Sequence, residues 1–394
     1  MRPFLLALQV AVAAVASSDS VRPPPQATPF AQLVGRLSEP GGYFDSDNLV
    51  SNETSYLHVL GALRALNLSG GAYIGVGPEQ NFSYLAQVRP ELAILVDIRR
   101  DNMLLHLLLK AMFGVARNRM EYLCLLFGRA VPPDLEMWTD LPLEQLLAWF
   151  ETRPGDAIAH SQNHAMLMER VTGYGVPLDS TDRATLRRFH DEFMAAGTEL
   201  RFTSRGRPPR LGYPTVAQLY LATDMDGRPG SYLVTEDAFR IVREMQRRDR
   251  VIPGVGDLSG PTAMKAIARY LKERNLQVSV FYVSNVEMYL FRQGTFPRFV
   301  ENVRALPAGA NSVLIRSYFG RGRFMGIEGD LAWPQVMPGH LSAQLVQPFT
   351  AFLEVTRQPE TVTYAEVLSS GAIDLRTSRT PPARRRRRAR LGVA

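Results

Sequence analysis

The sequence predicts an α/β protein: a doubly wound, mostly parallel sheet with a helical insertion after its second strand. Three observations carry this reading. Short apolar runs alternate with amphipathic stretches of crossover length, the pattern of parallel strands joined by helices. That alternation stops between Asp101 and about Gly197, where nearly every stretch reads as helix. A glycine turn closes the first apolar run, at the place where such a sheet holds its ligand.

The chain has 394 residues, enough for two domains or one domain with insertions, and its 46% apolar and 21% charged residues are ordinary for a folded protein. Its net charge of +7 is local. Seven arginines (Arg379, Arg384 to Arg388 and Arg390) lie past Thr377, and the remaining basic and acidic residues balance at 38 each. The Arg-rich tail, 377–394, is therefore expected to be a disordered arm able to contact anionic surfaces. No nucleic-acid partner is expected for the neutral body.

The start resembles a secretory signal over 1–16. Arg2 precedes the apolar stretch Phe4 to Val15, and Ala14-Val15-Ala16 is a small-x-small cleavage site. Export, to the periplasm, is the expectation this sets. No run is long enough for a transmembrane helix. The single cysteine, Cys124, lies on an apolar helical pattern and reads as a buried, inert thiol.

The elements follow in order. Residues 17–42 (VRPPPQATPF, SEPGG) read as a linker. A helix is expected over 49–68, with Ser51 or Asn52 as its N-cap. AYIGV is the first strand, EQNFSYLAQV a helix and ELAILVDIRR the second strand, so 43–100 forms the first part of the sheet domain. The insertion spans 101–212, ending in the loop SRGRPPRLGYP. Strand and helix alternate again over 213–330: EDAFRIVREMQRR, RVIPGVGD, PTAMKAIARYLKERN, QVSVFYVSN, FPRFVENVRAL and NSVLIRSYF. Residues 331–376 read as a C-terminal extension.

The stretch AYIGVGPEQN carries the chemistry. Glycines 75 and 77 let the backbone approach a ligand at the carboxyl end of a strand, and Asp97, ending the next strand, can accept hydrogen bonds from a ribose diol. A third glycine, which dinucleotide phosphates require, is replaced by Gln80, and Pro78 and Glu79 follow the turn. An acid at a helix start repels phosphate. A nucleoside ligand without phosphate fits better.

On these residues the sequence resembles the class I S-adenosylmethionine-dependent methyltransferase fold over roughly residues 70 to 320, a Rossmann-like sheet. The resemblance rests on IGVGPE with Asp97, VGDLSGP with Asp257, FYVSNVEMY and LPAGANSVLIR. More narrowly, VDIRRDNMLLH, GDLSGP and YVSNVE look like an uncharacterised bacterial family with this fold, some of whose members are exported. The resemblance implies S-adenosylmethionine as cofactor. The turn from Gly75 to Gly77 would hold its methionine end, Asp97 its ribose and Asp257 its adenine side, with Pro78 and Glu79 also among the cofactor-binding residues. The motif Asn-Pro-Pro-aromatic is absent, positions 285 to 288 being Asn-Val-Glu-Met, which argues against DNA adenine or glutamine methylation.

Glu287 and Asn285 end the fourth strand, where the substrate should lie. In the catalytic reading Glu287 is a general base and Asn285 orients the acceptor, with Tyr282 or Tyr289 nearby; otherwise Asn285 caps a helix and Glu287 is solvated. Asn52, Glu53 and Tyr56 form a lid over the ligand or belong to a helix start. His160 and His164 share a helix face at a metal-ligand spacing, with His190 the nearest histidine for a third ligand, but polar residues on a helical face are the favoured reading. Asp224 and Asp226 read as a turn.

Two functions remain open. One is a methyltransferase acting on a small or peptide-like acceptor. The other is an exported, catalytically inactive binding or envelope-associated protein that keeps the fold.

Overall fold

The computed structural model describes residues 28–205, 207, 210, 212–319 and 336–375. The expected signal segment and the Arg-rich tail lie outside them. Six strands form one sheet: β1 (Ala72–Gly75), β2 (Leu92–Asp97), β3 (Val251–Val255), β4 (Val278–Ser284), β5 (Ala308–Tyr318) and β6 (Ala343–Pro348). Their order is β3-β2-β1-β4-β5-β6; the first five are parallel and β6 runs antiparallel to β5. The expected α/β, mostly parallel sheet is present.

Strands β1 to β3 are buried almost throughout, which is why they read as continuous apolar runs. Register then fixes the site. Gly75 pairs with Leu95 and Tyr282, and Asp97 pairs with Val255, so the carboxyl ends of β1 to β4 finish along one edge. The chain crosses from β1 toward β3 on one side and returns to β4 on the other. Crossovers of one hand therefore place helices on both faces, and a crevice opens at β1 and β4.

Helix Gln80–Val88 follows β1, and Arg100–Val115 and Glu236–Arg247 pack with it. Phe82 meets Phe113 and Tyr232 edge-on, and Phe113 stacks on Phe239, which ties these helices together. Helices Ala263–Glu273 and Phe296–Ala305 pack against each other beside β4 and β5. The first buries Met264, Ile267, Ala268 and Leu271, the spacing of one helix face.

Four boundaries differ from expectation. Helix Arg100–Val115 packs on β2 and β3, so the helical excursion begins with a helix of the sheet layer rather than with a separate insertion. The supposed linker contains helix Pro29–Arg36, capped by Thr28 Oγ1 and packed on β3. Glu39, just beyond it, accepts from the backbone of Asp257, Thr262 and Ala263 and so caps the helix after β3. The helix expected over 49–68 shrinks to a 3-10 turn at Tyr56–Val59 and helix Leu60–Ala65; Ser51 Oγ accepts from Glu53 N in a turn, not at a cap. The C-terminal extension supplies β6 and helices Phe349–Val355 and Tyr364–Ser369. Among the described residues no helix is long and apolar enough to cross a membrane.

Candidate functional site

The glycine turn is built from below. Asn81, in the first turn of helix Gln80–Val88, donates Nδ2 to the carbonyls of Val76 (2.9 Å) and Pro78 (2.7 Å). Its Oδ1 accepts from Tyr73 (2.7 Å). His106 donates Nε2–H to the carbonyl of Gly77 (2.9 Å); burial holds its pKa down to about 4, so the ring stays neutral. Gly77 has φ +77°, where a Cβ would strain the backbone. A Cβ on Gly75 would sit 2.0 Å from Asn81 Oδ1. Because three hydrogen bonds lock Asn81, Gly75→Ala is expected to cost about 1–3 kcal/mol by overpacking. A urea titration of the variant checks this; an unchanged midpoint would show that the turn gives way.

Above the turn lies a cleft of about 980 Å³, its open mouth included, lined from the ends of β1 to β4 and from the segment before β1. Among the described residues its charged lining is Glu53, Asp97, Asp257 and Arg99. Arg99 is not free: Nε and Nη2 hold Asp97 at 3.0 and 3.1 Å, and Nη1 donates to the carbonyls of Ser46 and Asp47. The pair latches the segment before β1 onto β2. Asp97 Oδ1 also accepts from Arg99 N, which leaves one acceptor position, on Oδ2. Asp257, half-buried, uses Oδ1 on Ser259 N and Oγ (2.8 and 2.9 Å).

At the β4 end Ser284 has φ +53°, a costly conformation for serine, and its Oγ donates to Glu53. Tyr282 (2.7 Å) and Gln344 (2.8 Å) also donate to Glu53. Gln80 gives Nε2 to Tyr282 (3.2 Å), and its Oε1 is buried without a partner. Asn285 and Tyr289 complete the wall, Phe44 meeting Tyr289 edge-on at 5.3 Å.

The cleft therefore gathers Gly77, Asp97, Asp257, Asn52, Glu53 and Asn285 from the expected residues. The others fall elsewhere. Gly75 lies beneath the turn, and Pro78 is buried and lends only its carbonyl to Asn81. Tyr56 is buried and donates to Leu219 O (2.9 Å), and Tyr282 reaches the cleft only through Glu53 and Gln80. Glu287 is neither solvated nor poised as a base. It forms an ion pair with Arg316, both side chains 1% exposed.

Glu79 is buried and does not line the cleft either. Tyr220 and Tyr232 donate to its two oxygens at 2.6 Å, and burial raises its pKa to about 7. With an ordinary value near 4.5, the native state holds more protons than the unfolded chain between about pH 4.5 and 7, so stability falls as pH rises through that window. Glu79→Gln should lack this slope, which is worth about 2–3 kcal/mol in wild type. Denaturant midpoints of both proteins at pH 4.5 and 7.5 test it; parallel slopes would contradict it.

Among the described residues no group of three or more His, Cys, Asp or Glu side chains could hold a metal ion. His164 and His190 approach through Nδ1 (3.2 Å), while His160 Nε2 pairs with Asp191 (2.7 Å). Asp224 accepts from Asp226 N and Arg228 N, the expected turn. Cys124 is buried, its pKa pushed up to about 12.

The family model described as Domain of unknown function (DUF7790) matches residues 49–130 and 214–377, more than half of the chain. The gap between the matched parts holds the helices Leu143–Glu151, Ala157–Gly173 and Ser180–Ala196. No curated protein matches the sequence.

Proposed function

Since the chain belongs to the family described as Domain of unknown function (DUF7790), which names no reaction, we propose from its cleft that it binds S-adenosylmethionine and methylates a small or peptide-like acceptor. The observation that carries this reading is the acidic lining among the described residues: Asp97 and Asp257 at strand ends and Glu53 before β1, against one arginine that is already paired. Such a cleft favours a cationic ligand and disfavours a polyphosphate. The residues present fit this cofactor. Gly77 would let the backbone approach the methionine end, Asp97 Oδ2 has one position open for a ribose hydroxyl, and Asp257 would face the adenine side. When bound, the cofactor supplies an electrophilic methyl carbon. The chain's own residues would position the acceptor at the β4 end, through Asn285 and Tyr289, and the latched segment before β1 would keep water out.

The alternative is an exported binding protein without catalysis. The sealing of Glu287 against Arg316 favours it, because the residue expected to act as base is occupied. A mature N-terminus at Ser17 would support export, and an intact Met1 in a cytoplasmic fraction would oppose it.

A thermal-shift series separates ligand classes. S-adenosylhomocysteine at about 100 times its dissociation constant should stabilise the full chain by about 2.7 kcal/mol, whereas ATP and NAD should not. Stabilisation by ATP or NAD alone would overturn the reading.

A further inference from the structure

Buried carboxylates are normally paired with a cation or protonated. All but two of the buried carboxylates among the described residues have a cation partner, the two being Glu79 and Glu53. Glu121 pairs with Arg117, Asp182 with Arg100, Asp224 with Arg64 and Glu287 with Arg316, while burial holds Glu79 protonated up to about pH 7. Glu53, only 2% exposed, lines the cleft and has no cation within ion-pair distance among the described residues.

Its hydrogen bonds show where a cation would go. Tyr282 and Gln344 fill Oε2, but Oε1 accepts only from Ser284 and keeps one acceptor position. Gln80, 7% exposed and also lining the cleft, holds a second unfilled acceptor in Oε1. Arg99, the one cation among the described lining residues, is committed to Asp97 at the β2 end.

We propose that the β4 end of the cleft is an amine subsite: it takes a primary or secondary amine as its ammonium, with Glu53 as counter-charge and Gln80 Oε1 as second acceptor. Alcohols lack the charge, and carboxylates meet repulsion from Glu53. That the amine is the methyl acceptor, its ammonium first giving a proton to Glu53 so that the nitrogen has a lone pair, rests on the function proposed above; the subsite itself does not.

The test is calorimetric titration of the full chain with benzylamine, benzyl alcohol and benzoate, with and without saturating S-adenosylhomocysteine. Benzylamine should bind at least tenfold more tightly than the other two, and Glu53→Gln should remove that preference. Asn285→Lys, on a half-buried helix start, should reverse it toward benzoate even if the Glu53 variant folds poorly. Benzylamine binding no better than benzyl alcohol, or no binding by any of the three, overturns the proposal. A preference for the amine without any binding of S-adenosylhomocysteine would sink the methyl-donor reading alone.

Discussion

Glu287→Ala should destabilise the protein by about 3–5 kcal/mol, because it leaves Arg316 buried without its counter-ion. The pair has little else to fall back on. Arg316 Nη2 and Glu287 Oε1 lack partners, and Phe352 lies 5.2 Å from the guanidinium. Replacing both residues, as Glu287→Leu with Arg316→Met, should recover most of the loss, since an apolar pair avoids desolvating two charges. Urea midpoints of the single and double variants measure this directly. A single variant with an unchanged midpoint but impaired methyl transfer would return Glu287 to the role of base.

Asp97→Ala should act on two levels. It strands Arg99, 5% exposed, at a cost of about 3 kcal/mol. It also frees the anchor that holds the carbonyls of Ser46 and Asp47, so the segment before β1 should be cut faster by a protease. Cofactor affinity lost in this variant would therefore mix a missing ribose contact with a displaced wall. Asp257→Ala is the cleaner probe, because Asp257 ties down only Ser259 through its side chain. Equal protease sensitivity of wild type and Asp97→Ala would refute the latch.

The sheet was legible because its central strands are buried on both faces and separated by helices with one apolar side. β6 was not: AQLVQP carries two glutamines, which break the apolar run that marks the other strands. In the site, the glycine turn, Asp97 and Asp257 could be read from strand ends alone. Glu79 and Glu287 could not, since what they do depends on distant residues. Tyr220 and Tyr232 arrive more than 140 positions after Glu79, and Arg316 comes from the neighbouring strand. Asn81 and His106 went unnoticed for a related reason. They support the turn from beneath, and the only local signal was an asparagine inside the first helical turn, where its competing side-chain bonds are normally unfavourable.

The most direct test is calorimetric titration of S-adenosylmethionine and S-adenosylhomocysteine into the full chain, beside Asp257→Ala. The account predicts micromolar binding of both ligands to wild type and affinity about fivefold to tenfold weaker in the variant, the loss of one hydrogen bond. Absence of heat with either ligand, from a chain shown to be folded, would contradict it.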